Sequence, residues 1–264
     1  MRKYIETVKI LFKSQLAYRF DIIMNIVLTV SKMLLAYVLW SAVFETQDIV
    51  AGFTLNSMMS YYIISSFIAQ LDQATGTGWR IAEDIRNGRF SKYIIKPMDI
   101  FGYFTAHTAG VSLFLLIFNL LAAILWVLIF GVELIMTNDV LMILQTVVLI
   151  LLGLLFMVQL SYFIGILAFK VLDVTVFMLV KDNIAEFVKG SLIPLTLLSP
   201  AIIGVMKLFP FYYVTYLPTM LLLGRNGDEA LQGIVILVLW IVLFRFINSF
   251  TFKRLRHRYD GVGI

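Results

Sequence analysis

Lys181, Asp182, Glu186 and Lys189 stand within nine residues of one another in a run that is otherwise mostly apolar. A charge at the centre of a bilayer costs about 2.5–3.5 kcal/mol on insertion scales, so such a cluster has to be paired or to touch something polar. Glu186 and Lys189, three residues apart on a helix, can pair, whereas Asp182 and Glu186, four apart, repel unless a cation or water lies between them. Two uses stay open. Lys181, Asp182 and Glu186 line a hydrated pathway in which the carboxylates meet a cationic substrate, or the whole cluster is neutralised by neighbouring helices. A second chemistry-bearing segment is residues 79–99, WRIAEDIRNGRFSKYIIKPMD, where charges of both signs sit between apolar runs. It has no histidine, no cysteine and no phosphate-binding glycine loop, so it suits contact with a partner rather than bond-making.

Much chemistry is excluded at once. The sequence has no cysteine and two histidines, His107 and His257, which removes thiol nucleophiles and leaves little for a metal site. There is no Gly-x-x-x-x-Gly-Lys-Ser/Thr run; Gly76 and Gly78, the nearest glycine cluster, lack the lysine and a preceding strand. No clustered acid and base at one depth suggests an intramembrane enzyme. Any ATP hydrolysis has to come from another polypeptide.

The elements that must position these residues follow from composition. With 61% hydrophobic residues, 14% charged and a mean hydropathy of +0.95, the chain reads as an all-α integral membrane protein, a single transmembrane domain over residues 1–264. About 20 apolar residues cross a bilayer core of roughly 30 Å, which places six helical spans at residues 22–44, 54–72, 103–131, 140–169, 172–190 and 230–250. The runs are continuous rather than alternating, so helices are expected and not barrel strands. Residues 1–20 carry Ile5, Val8, Phe12 and Leu16 at helical spacing beside Lys3, Lys9 and Lys13, the pattern of an amphipathic helix on the membrane surface. They are too charged for a signal peptide.

Lysine and arginine set the orientation. With six spans, the N-terminal segment, the loop at 73–102, the turn near Lys170 and the tail at 251–264 share one side and hold 15 of the 21 basic residues. That side is expected to be the cytoplasm, with both termini there. The net charge of +5 then signals topology and attraction to anionic lipid, not nucleic-acid binding. Residues 191–228 break the pattern, because Pro194, Pro200, Pro210 and Pro218 cut an apolar stretch. Each removes a backbone donor, so two short broken helices re-entering from the outer side fit better than one kinked span.

Within 79–99, Arg80 with Asp84 and Glu83 with Arg86 have the spacing of helical ion pairs, and Ile81, Ala82 and Ile85 share the opposite face. Gly88 is placed to end the helix, and Pro97 prevents its continuation. The result is a short amphipathic helix that either rests on lipid or docks on a partner. Elsewhere the ionisable groups have simpler readings. Lys32 can snorkel from the first span, His107 suits a hydrogen bond at a helix boundary, and Arg245 with the basic tail suits headgroup anchoring.

At this point the chain resembles the permeases of type 2 ATP-binding-cassette exporters, in particular a bacterial branch of about this length. IRNGRFSKYIIKPMDIFGY at 85–103 carries the isoleucine, glycine, hydrophobic pair and proline of that branch, in order. GSLIPLTLLSPAIIGVMKLFPFYYVTYLPTMLLLG at 190–224 resembles its proline-rich outer segment, with Phe209 where leucine is common before Pro210. The resemblance implies a non-catalytic permease in the bacterial cell membrane that exports a hydrophobic or amphipathic drug, peptide or lipid-like molecule. It also implies pairing with a second permease, as a homodimer or heterodimer, and docking on two copies of a cytosolic ATPase that binds the ATP and magnesium. The helix at 81–88 would then be the coupling helix, with Ile81 and Ile85 as anchors, Glu83, Asp84 and Arg86 in contact with the ATPase, and Gly88 as its stop. The competing class is an ion-coupled carrier or channel in which Asp182 and Glu186 bind the ion.

Overall fold

The computed structural model describes residues 2–17, 19–131, 133–171, 173–191 and 193–259. Residues 260–264 of the expected tail, and the side chains of Arg19 and Arg258, lie outside the described residues. The helices are α1 (Arg2–Gln15), α2 (Arg19–Phe44), α3 (Leu55–Leu71), α4 (Ala74–Arg86), α5 (Ser91–Ile94), α6 (Ile100–Phe130), α7 (Val140–Ile166), α8 (Thr175–Val188), α9 (Pro200–Met206), α10 (Tyr216–Leu222) and α11 (Ala230–Leu255). Among the described residues, β-type pairing is confined to a single bridge between Val50 and Phe53.

Four stretches are long and apolar enough to cross a membrane: Ile26–Phe44, Ile100–Ile129, Val140–Phe169 and Gly227–Leu255. A fifth arises if Pro200–Met206 and Pro210–Leu222, bent by 92°, are taken as one. Two of the six expected spans are shorter than expected. α3 has 17 residues, about 26 Å, and α8 has 14, about 21 Å, against a core of roughly 30 Å. α3 is an interior helix, with Met58, Met59, Tyr61, Ile63 and Ile64 all buried. α8 stops at the left-handed Gly190 (φ +67), whose carbonyl accepts a hydrogen bond from Tyr61 at 2.7 Å.

The bundle has two distinct ends. At one, Lys3 donates to the Pro97 carbonyl at 2.8 Å, and Tyr259 meets Phe90 and Phe169 edge-on and donates to the Gly88 carbonyl. At the other, Arg225 donates to the Gly52 carbonyl at 2.7 Å and lies over the Phe53 ring, while the Thr137 amide donates to Leu222 at 2.7 Å. The segments that the charge pattern groups together are thus neighbours in space. α7 and α11 run in the same direction, with Phe156 against Trp240 and Phe244, and Tyr162 against Phe252.

The N-terminal helix packs against α6. Gly102 and Gly110 leave a shallow track on α6 into which Tyr4, Val8 and Leu11 fit, and Phe12 meets Phe114 edge-on at 5.4 Å. The contacts advance together, so α1 runs beside the first half of α6 in the same sense. Ile5 and Leu16, expected on its apolar face, stay exposed.

The prolines act as starts. Pro200 opens α9, Pro210 opens the 3-10 turn Pro210–Tyr213, and Pro218 lies in the first turn of α10, where its missing donor is not needed. Pro194 immediately precedes the 3-10 turn Leu195–Leu197.

α4 is seated by glycines. A Cβ at Gly165 of α7 would meet the Gly78 carbonyl oxygen and the Ile81 Cβ at 2.9 Å, and one at Gly78 would meet the Ser161 carbonyl at 2.8 Å. Gly165→Val is therefore expected to cost about 1–3 kcal/mol by overpacking, read as a lower unfolding temperature in detergent and faster tryptic cleavage at Arg80 and Arg86. Gly76→Ala, whose added carbon meets nothing within 4 Å, should cost no stability in either measurement.

Candidate functional site: a seated surface helix and a charged corner

α4 has one buried face and one bare face. Ile81 and Ile85 are buried with Phe90, Phe104, Tyr162, Ile166 and Met178, so the expected anchors hold the helix to its own chain. Gly88, at φ +70, ends it as its position suggests. Trp79, Arg80, Glu83 and Arg86 form the exposed stripe. The pairing inside the segment differs from the expected spacing pairs. Arg80 meets His107 Nε2 of α6 rather than Asp84, and Glu83 pairs with Arg89 at 2.7 Å rather than with Arg86.

Asp84 is placed inward, which corrects its expected position on the contact face. It is 4% exposed and accepts from Tyr93 at 2.7 Å, Lys92 at 2.9 Å and Arg89 at 3.1 Å. The chain folds back after Gly88, so the cations that follow the helix reach its carboxylate before any partner can. Burial works to raise the Asp84 carboxyl, but the hydrogen bonds from Lys92, Tyr93 and Arg89 outweigh it and hold it below its ordinary value. Tyr93 is pushed upward by burial and by that same carboxylate. Beside the stripe, a small hollow between Trp79, Ala82, Glu83 and Arg86 is closed by Asp173 and Val174 from the α7–α8 connection.

The second cluster joins α8 to the corner where α3 turns into α4. Lys181 is buried and donates to Thr75 at 2.7 Å and Ser161 at 3.1 Å, with Asp182 at 2.8 Å; Asp182 also accepts from Thr75 at 2.8 Å. Lys189 pairs with Asp72 at 2.6 Å, both side chains less than a tenth exposed, in place of the expected Glu186. Asp72 also accepts from the Ala74 amide at 3.2 Å, at the first residue of α4. Glu186 is left exposed, on the opposite side of α8 from Lys181 and Ala185. The expected cluster is therefore split: Lys181 and Asp182 are bound into the protein, and Glu186 is not. Asp72 escaped the sequence reading because it sits 117 residues from Lys189, at the end of an apolar run where a carboxylate looks like an ordinary helix boundary.

A groove of about 550 Å³ opens between α2 and α3, reaching Asp72, Gln73, Glu186 and Ser191. Its walls include Lys32, Leu35, Leu39 and Trp40 of α2 and Tyr62 and Gln70 of α3.

Among family models, the one described as ABC-2 family transporter protein matches residues 30–263. No curated protein and no solved structure matches the chain.

The corner yields two expected outcomes. Asp72→Asn strands a buried ammonium and should lower stability by about 3–5 kcal/mol, read by thermal unfolding in detergent, with part of the loss recovered when Lys189→Gln is added. The Asp84 network behaves oppositely to a histidine switch. Because folding lowers that carboxyl, the network is fully in force above the ordinary value of 3.8 and fades as pH falls through the folded value. Proteolysis between Gly88 and Ile95 by an acid-active protease should therefore accelerate below about pH 4, and Asp84→Asn should be fast at every pH.

Proposed function

The chain belongs to the ABC-2 family of transporter proteins, and on that premise we propose that it is the permease subunit of an ATP-driven exporter. It moves a hydrophobic or amphipathic molecule, such as a drug, peptide or lipid-like compound, outward. Membership of the family implies an ATPase partner in general terms. The finer reading is that two cytosolic ATPase subunits bind the ATP and magnesium, while this chain has no catalytic part. A second permease, identical or related, completes the membrane unit.

The observation that carries the reading is the form of α4. A helix buried on one side through Ile81 and Ile85, fixed by Gly78 against Gly165, and bare along Trp79, Arg80, Glu83 and Arg86 is a rigid lever with a polar handle. Domain closure in an attached ATPase can be passed to α6, α7 and α8 by contact, without chemistry at the helix itself. In this reading Glu83 and Arg86 meet the ATPase, and Asp84 with Gly88 keeps the return loop in shape. α8 forms the inner part of the fifth of six crossings, and α9 with α10 forms a re-entrant outer part. The end of the bundle that carries Lys3, Arg86, Lys92 and Tyr259 faces the cytoplasm of a bacterial cell, with both termini there. Lys181, Asp182 and Glu186 border the pathway, and Glu186 is the one available for contact.

The competing ion-coupled carrier draws no support from the charged cluster, since Asp182 is held by Lys181 and Thr75 while Glu186 points elsewhere. The full chain, expressed with its ATPase, should retain it through affinity purification. Combined Glu83→Lys and Arg86→Glu should reduce the recovered ATPase by about tenfold or more while the permease remains folded. Transport that continues in vesicles devoid of any ATPase would overturn the proposal.

A further inference from the structure

We infer that the groove between α2 and α3 binds a zwitterionic amphiphile drawn from the lipid phase, its headgroup between Lys32 and Glu186 and its chain along Leu35, Leu39 and Trp40. The groove is graded along its length. Thr29 of α2 accepts a hydrogen bond from Gln70 of α3 at 2.9 Å, and Trp40, later in α2, shares the groove with Tyr62, earlier in α3, so the two helices run antiparallel. Lys32 therefore lies toward the end occupied by Gln70, Asp72 and Gln73, and Leu39 and Trp40 lie toward the end occupied by Tyr62. One end is polar and the other apolar, the distribution of an amphiphile. Its volume of about 550 Å³ falls within the roughly 300–1,000 Å³ of small-molecule sites.

The charges specify the headgroup. Asp72 is neutralised by Lys189 at 2.6 Å and cannot recruit a cation without breaking a buried pair. Lys32 and Glu186 are exposed to the groove, and neither side chain has a hydrogen-bond or ion-pair partner among the described residues. Lys32 sits inside a membrane-length apolar stretch, Ile26–Phe44, where an uncompensated charge is costly. One unmatched cation and one unmatched carboxylate bordering the same groove are complementary to a headgroup bearing an anion and an amine. A singly charged amphiphile satisfies one and leaves the other. The inference rests on the permease reading for what the groove serves, since a bound amphiphile there is the molecule to be moved.

The absence of cysteine makes the test direct. Leu35→Cys places one thiol on the apolar wall of the full chain, purified in a neutral maltoside detergent. Its reaction with a maleimide is followed while dodecylphosphocholine, dodecanesulfonate or dodecyltrimethylammonium is added. The zwitterionic probe should protect the thiol at concentrations about threefold to tenfold lower than either singly charged probe. Lys32→Gln should abolish its advantage over the cationic probe, Glu186→Gln its advantage over the anionic one, and Lys32→Arg should preserve both. Equal protection by all three probes, or protection indifferent to both charge-removing variants, overturns the inference. So does a spontaneous disulfide between two chains through the introduced thiol, which would assign the groove to a second copy. ATPase recovery with the same variants is measured in parallel, so a groove that fails while the ATPase stays bound leaves the permease reading standing.

Discussion

Two glycines of α7 govern how the rest of the molecule is assembled. At Gly165 the absence of a side chain lets the backbone of α4 approach, and at Gly153 it admits Val214, whose Cα would lie 3.1 Å from an added Cβ. The surface helix and the bent α9–α10 segment therefore rest on one rod, twelve residues and about 18 Å apart. In an apolar medium there is no hydrophobic drive between helices, so close van der Waals approach at small residues has to supply the adhesion. α11 repeats the device where Gly233 faces Tyr213. Force applied to α4 thus reaches the opposite end of the bundle through a stiff helix, not through a chain of soft loops.

The polar groups divide by whether they are already satisfied. Asp72 with Lys189, and Lys181 with Asp182, Thr75 and Ser161, fasten α8 to the α3–α4 corner from within. At the far end Glu229 accepts from Lys207, Tyr212 and Asn226 and ties the bent segment to the start of α11. These clusters give the fold its register. Breaking any of them exposes a charge in a poor solvent, so they act as detents that favour discrete arrangements over continuous bending.

How much of this was legible in the sequence depends on how local the signal is. Ile81 and Ile85 could be read as one face because their spacing is a property of the helix alone. Pro200 and Pro210 marked element starts because proline constrains its own backbone, and the segregation of basic residues tracked the two ends of the bundle. Asp84 was misplaced because its partners follow a chain reversal, which side-chain periodicity does not describe. For Lys189 the spacing offered Glu186 and left a neighbouring helix open; the partner is Asp72, on another element and out of reach of helical periodicity. The short reach of α8 was hidden as well, since hydropathy continues unbroken into the apolar residues beyond Gly190. The orientation of α1 depended on Gly102 and Gly110, whose role is visible only once a second helix lies against them.

Tyr259 closes the corner after α4 by bonding to Gly88 and packing on Phe90, from 171 residues further along the chain. During synthesis the α4 segment leaves the ribosome early, but its return loop lacks this cover until the last helix has been made. The corner after α4 therefore reaches its finished form only when residues made 171 positions apart have met, which ties its closure to the order of translation.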